Sequence, residues 1–323
     1  MARLDQAKAL ATAFDLGVPA GGLTPVAGGR MNLMWRLRTD RGEWAVKQLN
    51  RSREAWWLAA YETAVEVERA AYRQGVPMPR PVPPPLVDLT VHGGPVSYRV
   101  HEWCHGSRLP DRDVPHAVLG WVGHTLASLH ARAAPSPPDE PAPHTLTEWD
   151  SWLGPPTPWT ERVRSYFPDI ARAIVAVERA GPGHHPVLTH RDVKPDNVLV
   201  TRRTPVLVDW DGAGADFAER EAVRSALAFS RIAGGWQRRR FVAVLRAYRA
   251  AGGAPVPAEP RSFAGVLRHQ LAAAAYLVWR ALGHRPVSPP ERAAARGHAL
   301  EFLAELRATL AGAADWTSWI AGE

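Results

Sequence analysis

Short runs rich in apolar residues, bounded by glycine-containing turns, recur along the first hundred residues, a pattern typical of strands. Gly28-Gly29, Asp40-Arg41-Gly42 and Gly93-Gly94 supply turn signals between the apolar runs. The pattern predicts strands at residues 23–27, 33–39, 44–49, 86–90 and 96–103. A short helix is predicted at about 4–15 and a longer one at about 54–74, where Gly75-Val76-Pro77 ends it. We therefore expect a five-stranded antiparallel sheet with one long helix.

From residue 116 onward the apolar positions follow the helical period. Helices are predicted at 116–133, 145–153, 161–180, 217–233, 236–251, 260–283 and 289–311. Two short strands, at 198–201 and 205–209, interrupt them, and the proline-rich segment 134–144 is interpreted as a loop or flap hinge. The predicted architecture is α+β with two lobes. A small N-terminal lobe spans 1–103, and a larger, mainly helical lobe spans 104–323.

Composition narrows the classes of protein and partner. The chain has 323 residues and a net charge of +7, but its arginines are spread along its whole length, so nucleic-acid binding is not expected. The single Cys104 excludes internal disulfides and a cysteine-based metal cage. Asp5 and Asp15 interrupt any signal-type apolar run, and the longest apolar run, 271–279, is too short to span a bilayer. We expect a soluble, cytoplasmic protein that does not bind membranes; its oligomeric state is left open.

Lysine is scarce in a chain rich in arginine. Of the 39 basic residues only three are lysines, Lys8, Lys47 and Lys194. The two side chains are not interchangeable, because lysine carries a compact point charge and arginine a planar fork. This scarcity draws attention to Lys47 and Lys194, which fall inside the motifs described below and are candidates for positions at which a compact ammonium group is needed.

The strongest motif is His190-Arg191-Asp192-Val193-Lys194-Pro195-Asp196-Asn197, which matches the kinase catalytic loop H-R-D-x-x-x-x-N. Asp192 can accept the proton of a nucleophilic hydroxyl, and Lys194 can place a point charge at the transferring γ-phosphate. Asn197, with Asp209 twelve residues later, offers the hard oxygen ligands that Mg²⁺ prefers. His190 is interpreted as an orienting group, and Arg191 and Asp196 as structural or solvated.

A second motif, Trp44-Ala45-Val46-Lys47, resembles the V-A-I-K strand whose lysine holds the α- and β-phosphates of ATP. Such a lysine has a carboxylate partner on a helix. Glu62, Glu66 and Glu68 are the candidates. Glu68 lies within the apolar stripe of the long helix and is favoured, because an inward-facing carboxylate needs a partner and Lys47 supplies one.

Two further segments have weaker signals for nucleotide binding. The loop that contains Gly28, Gly29 and Asn32 could bring backbone amides close to phosphates, although a plain hairpin turn explains it equally well. At the strand-to-helix crossing 101–106, the Glu102 carbonyl and the Cys104 amide are candidates for bonding the adenine edge. His101 and His105 imply no metal site there, because no further ligands are placed nearby.

From Gly28 to about Arg231 the chain resembles the aminoglycoside phosphotransferase and choline kinase-like superfamily. The resemblance is carried by the glycine loop with Asn32, by Lys47, by residues 75–79 (GVPMP), by 126–130 (LASLH) and by 208–211 (VDWD). It implies a protein kinase-like fold, an ATP cleft between two lobes, and transfer of phosphate to a hydroxyl group with ATP and Mg²⁺ as cofactors.

The same residues leave alternatives for the acceptor. The H-R-D-x-K-P-D-N loop favours a protein Ser/Thr kinase, but no A-P-E follows Asp209, and the helix predicted at 217–233 leaves no room for a peptide platform. A small-molecule acceptor is therefore favoured. A non-catalytic nucleotide-binding pseudokinase is a third alternative, which the filled catalytic positions oppose.

The acceptor itself is not readable from the sequence. It could be an antibiotic such as an aminoglycoside or a peptide antibiotic, with a role in resistance, or an amino sugar, sugar or amino alcohol. After Trp210 the chain has 15 arginines against 10 acidic residues, which argues against a highly cationic acceptor. Trp149, Trp152 and Trp159 could stack on a ring-bearing acceptor, although packing in the core is the favoured role of each.

Overall fold

A computed structural model describes residues 3–26, 32–49, 55–91, 94–109, 113–284 and 289–322. The strands are β1 (Thr24–Val26), β2 (Leu33–Thr39), β3 (Gly42–Leu49), β4 (Pro81–Val91), β5 (Gly94–Glu102), β6 (Ser107–Arg108), β7 (Pro186–Thr189), β8 (Val198–Val200), β9 (Pro205–Leu207), β10 (Gly214–Phe217), β11 (Arg231–Ile232) and β12 (Gly235–Trp236). The helices are α1 (Arg3–Ala13), α2 (Ala55–Arg73), α3 (His116–Arg132), α4 (Leu146–Leu153), α5 (Pro158–Arg164), α6 (Phe167–Ala180), α7 (Ala218–Phe229), α8 (Arg238–Ala250), α9 (Ala264–Leu282) and α10 (Pro289–Ala321).

The chain forms two compact units, and each is built from two segments. The first unit contains Met1–Asp113 and His190–Gly214, and the second contains Val114–Thr189 and Ala215–Glu323. The segment that carries the catalytic-loop motif therefore belongs to the unit that also contains Lys47.

The first unit contains the predicted five-stranded antiparallel sheet, in the order β1-β2-β3-β5-β4, together with the long helix α2. The helix α1 belongs to the same core, in which Leu10, Phe14 and Tyr98 are fully or almost fully buried. The Gln6 side chain donates a hydrogen bond of 2.5 Å to the Tyr98 hydroxyl. A second sheet of this unit, in the order β6-β8-β9, flanks the catalytic-loop motif.

Strand β4 begins five positions earlier than predicted, at Pro81 rather than residue 86. Pro81 and Val82 pair with β5, and the register then shifts before Val87. Proline lacks the amide proton that a central strand must donate, so a proline-rich strand is tolerated at the edge of a sheet. In this sheet β4 is the edge.

Helices dominate the second unit. Its core is built mainly from α4, α5, α6, α9 and α10, with Trp149, Ile170, Ala274 and Leu303 among its buried residues. A separate crossing joins α3 and α8. A methyl group on Gly123 of α3 would lie 2.5 Å from the Val244 carbonyl oxygen of α8. The two helices therefore approach so closely at Gly123 that there is no room for a side chain there.

Two predicted helices differ from the structure. The helix expected at 161–180 is divided into α5 and α6, and Pro168 lies in the first turn of α6, where proline commonly begins a helix. The helix expected at 217–233 ends at Phe229 and is followed by the β11–β12 hairpin. That turn contains Gly234 at φ +83°, a conformation that disfavours other residues.

Within the residues that the structure describes, no helix has both the length and the apolar character that a membrane span requires.

Candidate active site

The catalytic-loop motif forms a tight turn between β7 and β8. His190 is fully buried; its Nδ1 accepts a 3.2 Å hydrogen bond from the Asp192 amide, and its Nε2 donates to the Val208 carbonyl oxygen over 3.1 Å. Its ring and that of Trp210 form a T-shaped contact, with 4.6 Å between the ring centroids. Both ring nitrogens are therefore engaged in holding the loop.

Asp192 is the centre of a small hydrogen-bonded cluster. Lys194 Nζ donates to Asp192 Oδ2 over 2.7 Å, and Asn197 Nδ2 donates to the same oxygen over 3.0 Å. The Asp192 side chain nevertheless keeps 33% of its surface exposed. The motif thus folds so that Lys194 and Asn197 both bond the Asp192 carboxylate, which solvent can still reach.

Asp209 follows β9 in a left-handed backbone conformation, with φ 68° and ψ 61°. Arg191 has a similar φ of 67°. For residues other than glycine this conformation costs on the order of 1–3 kcal/mol, and it is commonly found at functional sites. The Val208 amide bonds the Asn197 carbonyl oxygen over 2.9 Å, so the Asp209 turn is tied to the catalytic loop.

Lys47 on β3 is buried and forms ion pairs with two carboxylates, those of Asp209 and Asp211. Burial opposes its charge, but Asp211 and Asp209 together keep the pKa of Lys47 above its ordinary value. The structure thus brings Lys47 to Asp209, which the sequence had placed in the same site on separate grounds.

Glu68 is buried, with 1% of its surface exposed, whereas Glu62 and Glu66 are exposed. Its predicted partner is wrong, however. Glu68 pairs with Arg99 and accepts a 2.8 Å hydrogen bond from His101 Nε2, and Lys47 is not among its partners. Arg99 and His101 lie on β5, and both contact the Glu68 carboxylate. Arg99 is the direct cross-strand partner of Lys47, so Glu68 pairs with the cation beside Lys47 and not with Lys47 itself.

The charged groups around Glu68 shift one another's protonation. Burial opposes ionisation of Glu68, yet the His101 hydrogen bond and the Arg99 charge hold the pKa of Glu68 below its ordinary value. Burial lowers the pKa of His101, so that its neutral ring donates to Glu68. Burial opposes the charge of Arg99, but Glu68 and Asp211 together raise the pKa of Arg99 above its ordinary value.

Asp211 is a site residue that sequence reasoning missed. Arg99 Nη1 donates to it over 2.6 Å, Asn32 Nδ2 donates over 3.2 Å, and Lys47 forms an ion pair with it. Burial opposes its charge, but Lys47 and Arg99 lower the pKa of Asp211 to about 2. The signal was present in the sequence as a second aspartate two positions after Asp209, beside a buried aromatic residue.

Of the remaining predicted nucleotide-binding residues, the structure describes Asn32, Glu102 and Cys104. Gly28 and Gly29 lie outside the described residues, whereas Asn32 bonds Asp211 as stated above. Glu102 ends β5, and its side chain pairs with Arg80 over 2.7 Å at the surface. Cys104 is half-buried, and burial raises the pKa of its thiol. Contacts of the Glu102 carbonyl and the Cys104 amide with a base remain a prediction.

The three tryptophans considered for acceptor stacking pack against the core of the second unit. Trp149 has 1% of its surface exposed, and Trp152 and Trp159 are half-buried beside the same cluster. Trp152 also contacts Trp279, with 5.0 Å between ring centroids, and Trp159 Nε1 donates to the Arg296 carbonyl oxygen over 3.1 Å. Trp149 therefore belongs to the core.

The oxygen donors suit a divalent ion held partly by substrate. Among the described residues there is no cluster of three or more His, Cys, Asp or Glu side chains that would form an all-protein cage. Asn197 uses its nitrogen on Asp192, which leaves Oδ1 available, and the Asp209 side chain is 45% exposed. Mg²⁺ is commonly bound by one or two such side chains together with phosphate oxygens.

A cavity of about 240 Å³ lies beside the charged network, between α2 and strands β4 and β5. It reaches Glu68 and Arg99, but Lys47 and Asp192 do not line it. This cavity therefore does not coincide with the predicted catalytic residues, whose role stays a prediction.

Comparison with solved structures supports the predicted fold. Spectinomycin phosphotransferase APH(9)-Ia, in complex with ADP and spectinomycin, is 12% identical over 97% of this chain and 98% of its own, with a TM-score of 0.69. Amicoumacin kinase hAmiN, in complex with AMP-PNP, Ca²⁺ and Ami, is 14% identical over 93% and 94%, with a TM-score of 0.61. A choline/ethanolamine kinase family protein from Mesorhizobium loti is 18% identical over 96% and 98%, with a TM-score of 0.55. At these identities the likeness shows the fold, which confirms the predicted kinase-like α+β class.

Comparison of the sequence gives the family. None of the curated proteins matches the chain. A family model described as the phosphotransferase enzyme family, APH, matches residues 22–238, which is more than half of the chain and includes Lys47, the catalytic loop and Asp209. The chain therefore belongs to the phosphotransferase enzyme family, and it is a kinase-type enzyme.

Proposed function

We propose that the protein transfers the γ-phosphate of ATP to a hydroxyl group of a small molecule, with Asp192 as the catalytic base. The observation that carries this proposal is the arrangement of the Asp192 carboxylate. Lys194 and Asn197 hold one of its oxygens, while a third of the side chain stays exposed and accessible to a substrate. A positioned, accessible carboxylate is what the nucleophile of a phosphoryl transfer requires.

In the proposed reaction a hydroxyl oxygen of the acceptor displaces ADP from the γ-phosphorus. The acceptor oxygen attacks the γ-phosphorus, the bond from that phosphorus to the β,γ-bridging oxygen breaks, and ADP leaves. Asp192 orients the hydroxyl and accepts its proton. Lys194, whose ammonium lies 2.7 Å from Asp192 Oδ2, is close enough to offer its charge to the transferring phosphoryl group. Lys47 binds the remaining phosphates.

A nucleotide and a divalent cation fit the remaining donors. Asn197 Oδ1 and the Asp209 carboxylate would hold the ion, which when bound neutralises charge on the phosphate oxygens. The solved relatives contain ADP in one case and AMP-PNP with Ca²⁺ in another, and this supports the same classes of ligand here. We propose ATP and Mg²⁺.

A small-molecule acceptor agrees with the local sequence order. After Asp209 the chain forms the short strand β10 and then begins α7 at Ala218. No segment remains for the long activation loop of a protein kinase. The similar structures carry the names of spectinomycin, amicoumacin and choline or ethanolamine kinases, which supports an antibiotic or amino alcohol as the class of acceptor.

The test is release of ADP from Mg-ATP across a panel of acceptors. The panel holds aminoglycosides, spectinomycin-like and peptide antibiotics, amino sugars, small amino alcohols and a generic protein substrate. Asp192→Asn is the inactivating variant. Asp196→Asn is the matched control, because Asp196 is an exposed aspartate of the same loop.

We expect one small-molecule class to give turnover that Asp192→Asn removes and Asp196→Asn preserves. Turnover by Asp192→Asn at the parental rate would refute its role as the base. A signal with the protein substrate alone would indicate a protein kinase, and binding of nucleotide without turnover on any acceptor would favour a pseudokinase.

A further inference from the structure

We propose that Asp211, and not Glu68, is the carboxylate that positions the phosphate-binding Lys47, and that Arg99 connects Asp211 to helix α2. The inference rests on the proposed function, in which Lys47 binds nucleotide phosphates. It assigns positioning roles to two residues, Asp211 and Arg99, and it gives Glu68 an indirect role.

The register of the sheet creates the need for such a residue. Lys47 on β3 and Arg99 on β5 are direct partners in the antiparallel pair, and both are buried. Directly opposed like charges are destabilising, and buried charges need partners. One carboxylate placed between the two cations neutralises both, and Asp211 occupies that place, since it bonds Lys47 and Arg99.

Asp211 is held by more hydrogen bonds than Asp209, the other carboxylate that pairs with Lys47. Its two oxygens receive Arg99 Nη1 at 2.6 Å and Asn32 Nδ2 at 3.2 Å in addition to Lys47, and only 20% of the side chain is exposed. The partner that the structure shows for the Asp209 carboxylate is Lys47, and that side chain is 45% exposed. Asp209 is therefore suited to exchange Lys47 for another ligand, whereas Asp211 is suited to keep it.

The link to α2 runs through Arg99. Its Nη2 pairs with Glu68, while its Nη1 donates to Asp211, so one guanidinium joins the two carboxylates. The planar fork of an arginine holds its donors at fixed positions, so it can pair with both carboxylates in a defined geometry. His101, two positions along the same strand, fixes the other oxygen of Glu68 at 2.8 Å. Helix α2 thus reaches Lys47 through two intermediate side chains instead of one direct ion pair.

The first test measures the chemical reactivity of Lys47 and needs no catalysis. Its labelling is easily followed because Lys47 is one of only three lysines. A small amine-acylating reagent is applied to the nucleotide-free protein, and peptide mass spectrometry compares labelling of Lys47 with that of exposed Lys8. Asp211→Asn should raise relative labelling of Lys47 several-fold, because the ammonium loses a fixed acceptor. Glu68→Gln should raise it less. Asp88→Asn, a matched change on β4 at a carboxylate that accepts a 2.5 Å bond from Ser97 Oγ, should leave it unchanged.

The second test is kinetic. Asp211→Asn should raise the KM for ATP about tenfold, the effect of losing one hydrogen bond between charged groups. In double-mutant cycles, Lys47→Met and Asp211→Asn should be strongly non-additive, while Lys47→Met and Glu68→Gln should be close to additive. If the role of Asp211 were purely structural, Asp211→Asn would lower thermal stability, and the two double-mutant cycles would show similar coupling.

Unchanged Lys47 labelling in a folded Asp211→Asn protein would overturn the proposal, and so would a larger effect of Glu68→Gln than of Asp211→Asn. Unchanged labelling together with a loss of divalent-ion affinity in Asp211→Asn would identify Asp211 as a metal ligand instead. If Asp211→Asn does not fold, Arg99→Lys keeps the buried charge and should also speed Lys47 labelling; no change would overturn the proposal. Labelling as expected in a protein that turns over no acceptor would instead remove the proposed function and leave the contact network standing.

Discussion

Asn197 donates its side-chain amide to Asp192 twice, over 2.9 Å to the backbone oxygen and over 3.0 Å to carboxylate Oδ2. The residue proposed to bind the divalent ion is therefore also the residue that fixes the proposed base. A single substitution at position 197 is expected to affect both functions, and the choice of substitution can separate them.

Asn197→Asp should keep an oxygen ligand for the ion but lose the donor to Asp192. We expect kcat to fall about 100-fold, in the range seen when one positioned donor is removed from an active site, with little change in the Mg²⁺ concentration for half-maximal rate. Asn197→Ala should lose both the oxygen ligand for the ion and the donor to Asp192. Steady-state kinetics at varied Mg²⁺ would show the difference, and an Asn197→Ala enzyme with parental kinetics would exclude both roles.

Lys47→Arg should lower activity by orders of magnitude although it preserves the charge. Lys47 fits between Asp209 and Asp211 as a compact ammonium, and a guanidinium is larger and distributes its donors in a plane. The same substitution at exposed Lys8 is the control and should have no effect. Activity and nucleotide affinity are measured for both; near-parental activity of Lys47→Arg would remove Lys47 from the site.

Gly123→Ala should destabilise the second unit, although alanine normally favours a helix. The added methyl group would lie 2.5 Å from the Val244 carbonyl oxygen and 2.6 Å from the Tyr248 amide nitrogen, so α3 and α8 must separate. We expect a loss of about 1–3 kcal/mol. Gly120→Ala is the matched control on the same helix, because nothing lies within 4 Å of its added methyl group. Denaturant unfolding should rank the control as equal to or more stable than the parent.

The buried carboxylate of Glu221 should make stability depend on acid pH. Burial opposes its charge, but His130 at 2.9 Å, nearby Arg224 and Thr189 at 2.6 Å lower its pKa to about 2 from an ordinary value of 4.5. A depressed pKa in the folded state adds stability that is fully present above pH 4.5 and is lost as the pH falls towards 2. The stability difference between the parent and Glu221→Gln should therefore shrink across that range in denaturant titrations. A difference that stays constant would contradict this assignment.

The parts of the site that lie close together in the chain were predictable. The spacing from Asp192 to Asn197 specifies one turn, and Pro195 begins the short helical turn that closes it. The inward orientation of Glu68 followed from helical periodicity, because its neighbours at three and four positions are apolar.

The partner of Glu68 was not predictable in the same way. Residues 97–100 of β5 are all buried, so the alternation that would reveal the direction of Arg99 is absent. Which charged side chain meets Glu68 depends on the register of β5 against β3, and register is a tertiary property. The division of α5 from α6 could have been found, because Pro168 marks a helix start within the apolar period.

The first unit is completed by a segment that follows much of the second unit in the chain. Asp211 is synthesised 112 positions after Arg99. While a nascent chain grows from its N-terminus, β3 and β5 can pair, but the cations they bring together lack the aspartate that joins them. The first unit is thus expected to mature late during translation, once the catalytic loop and the turn at Asp209 have left the ribosome.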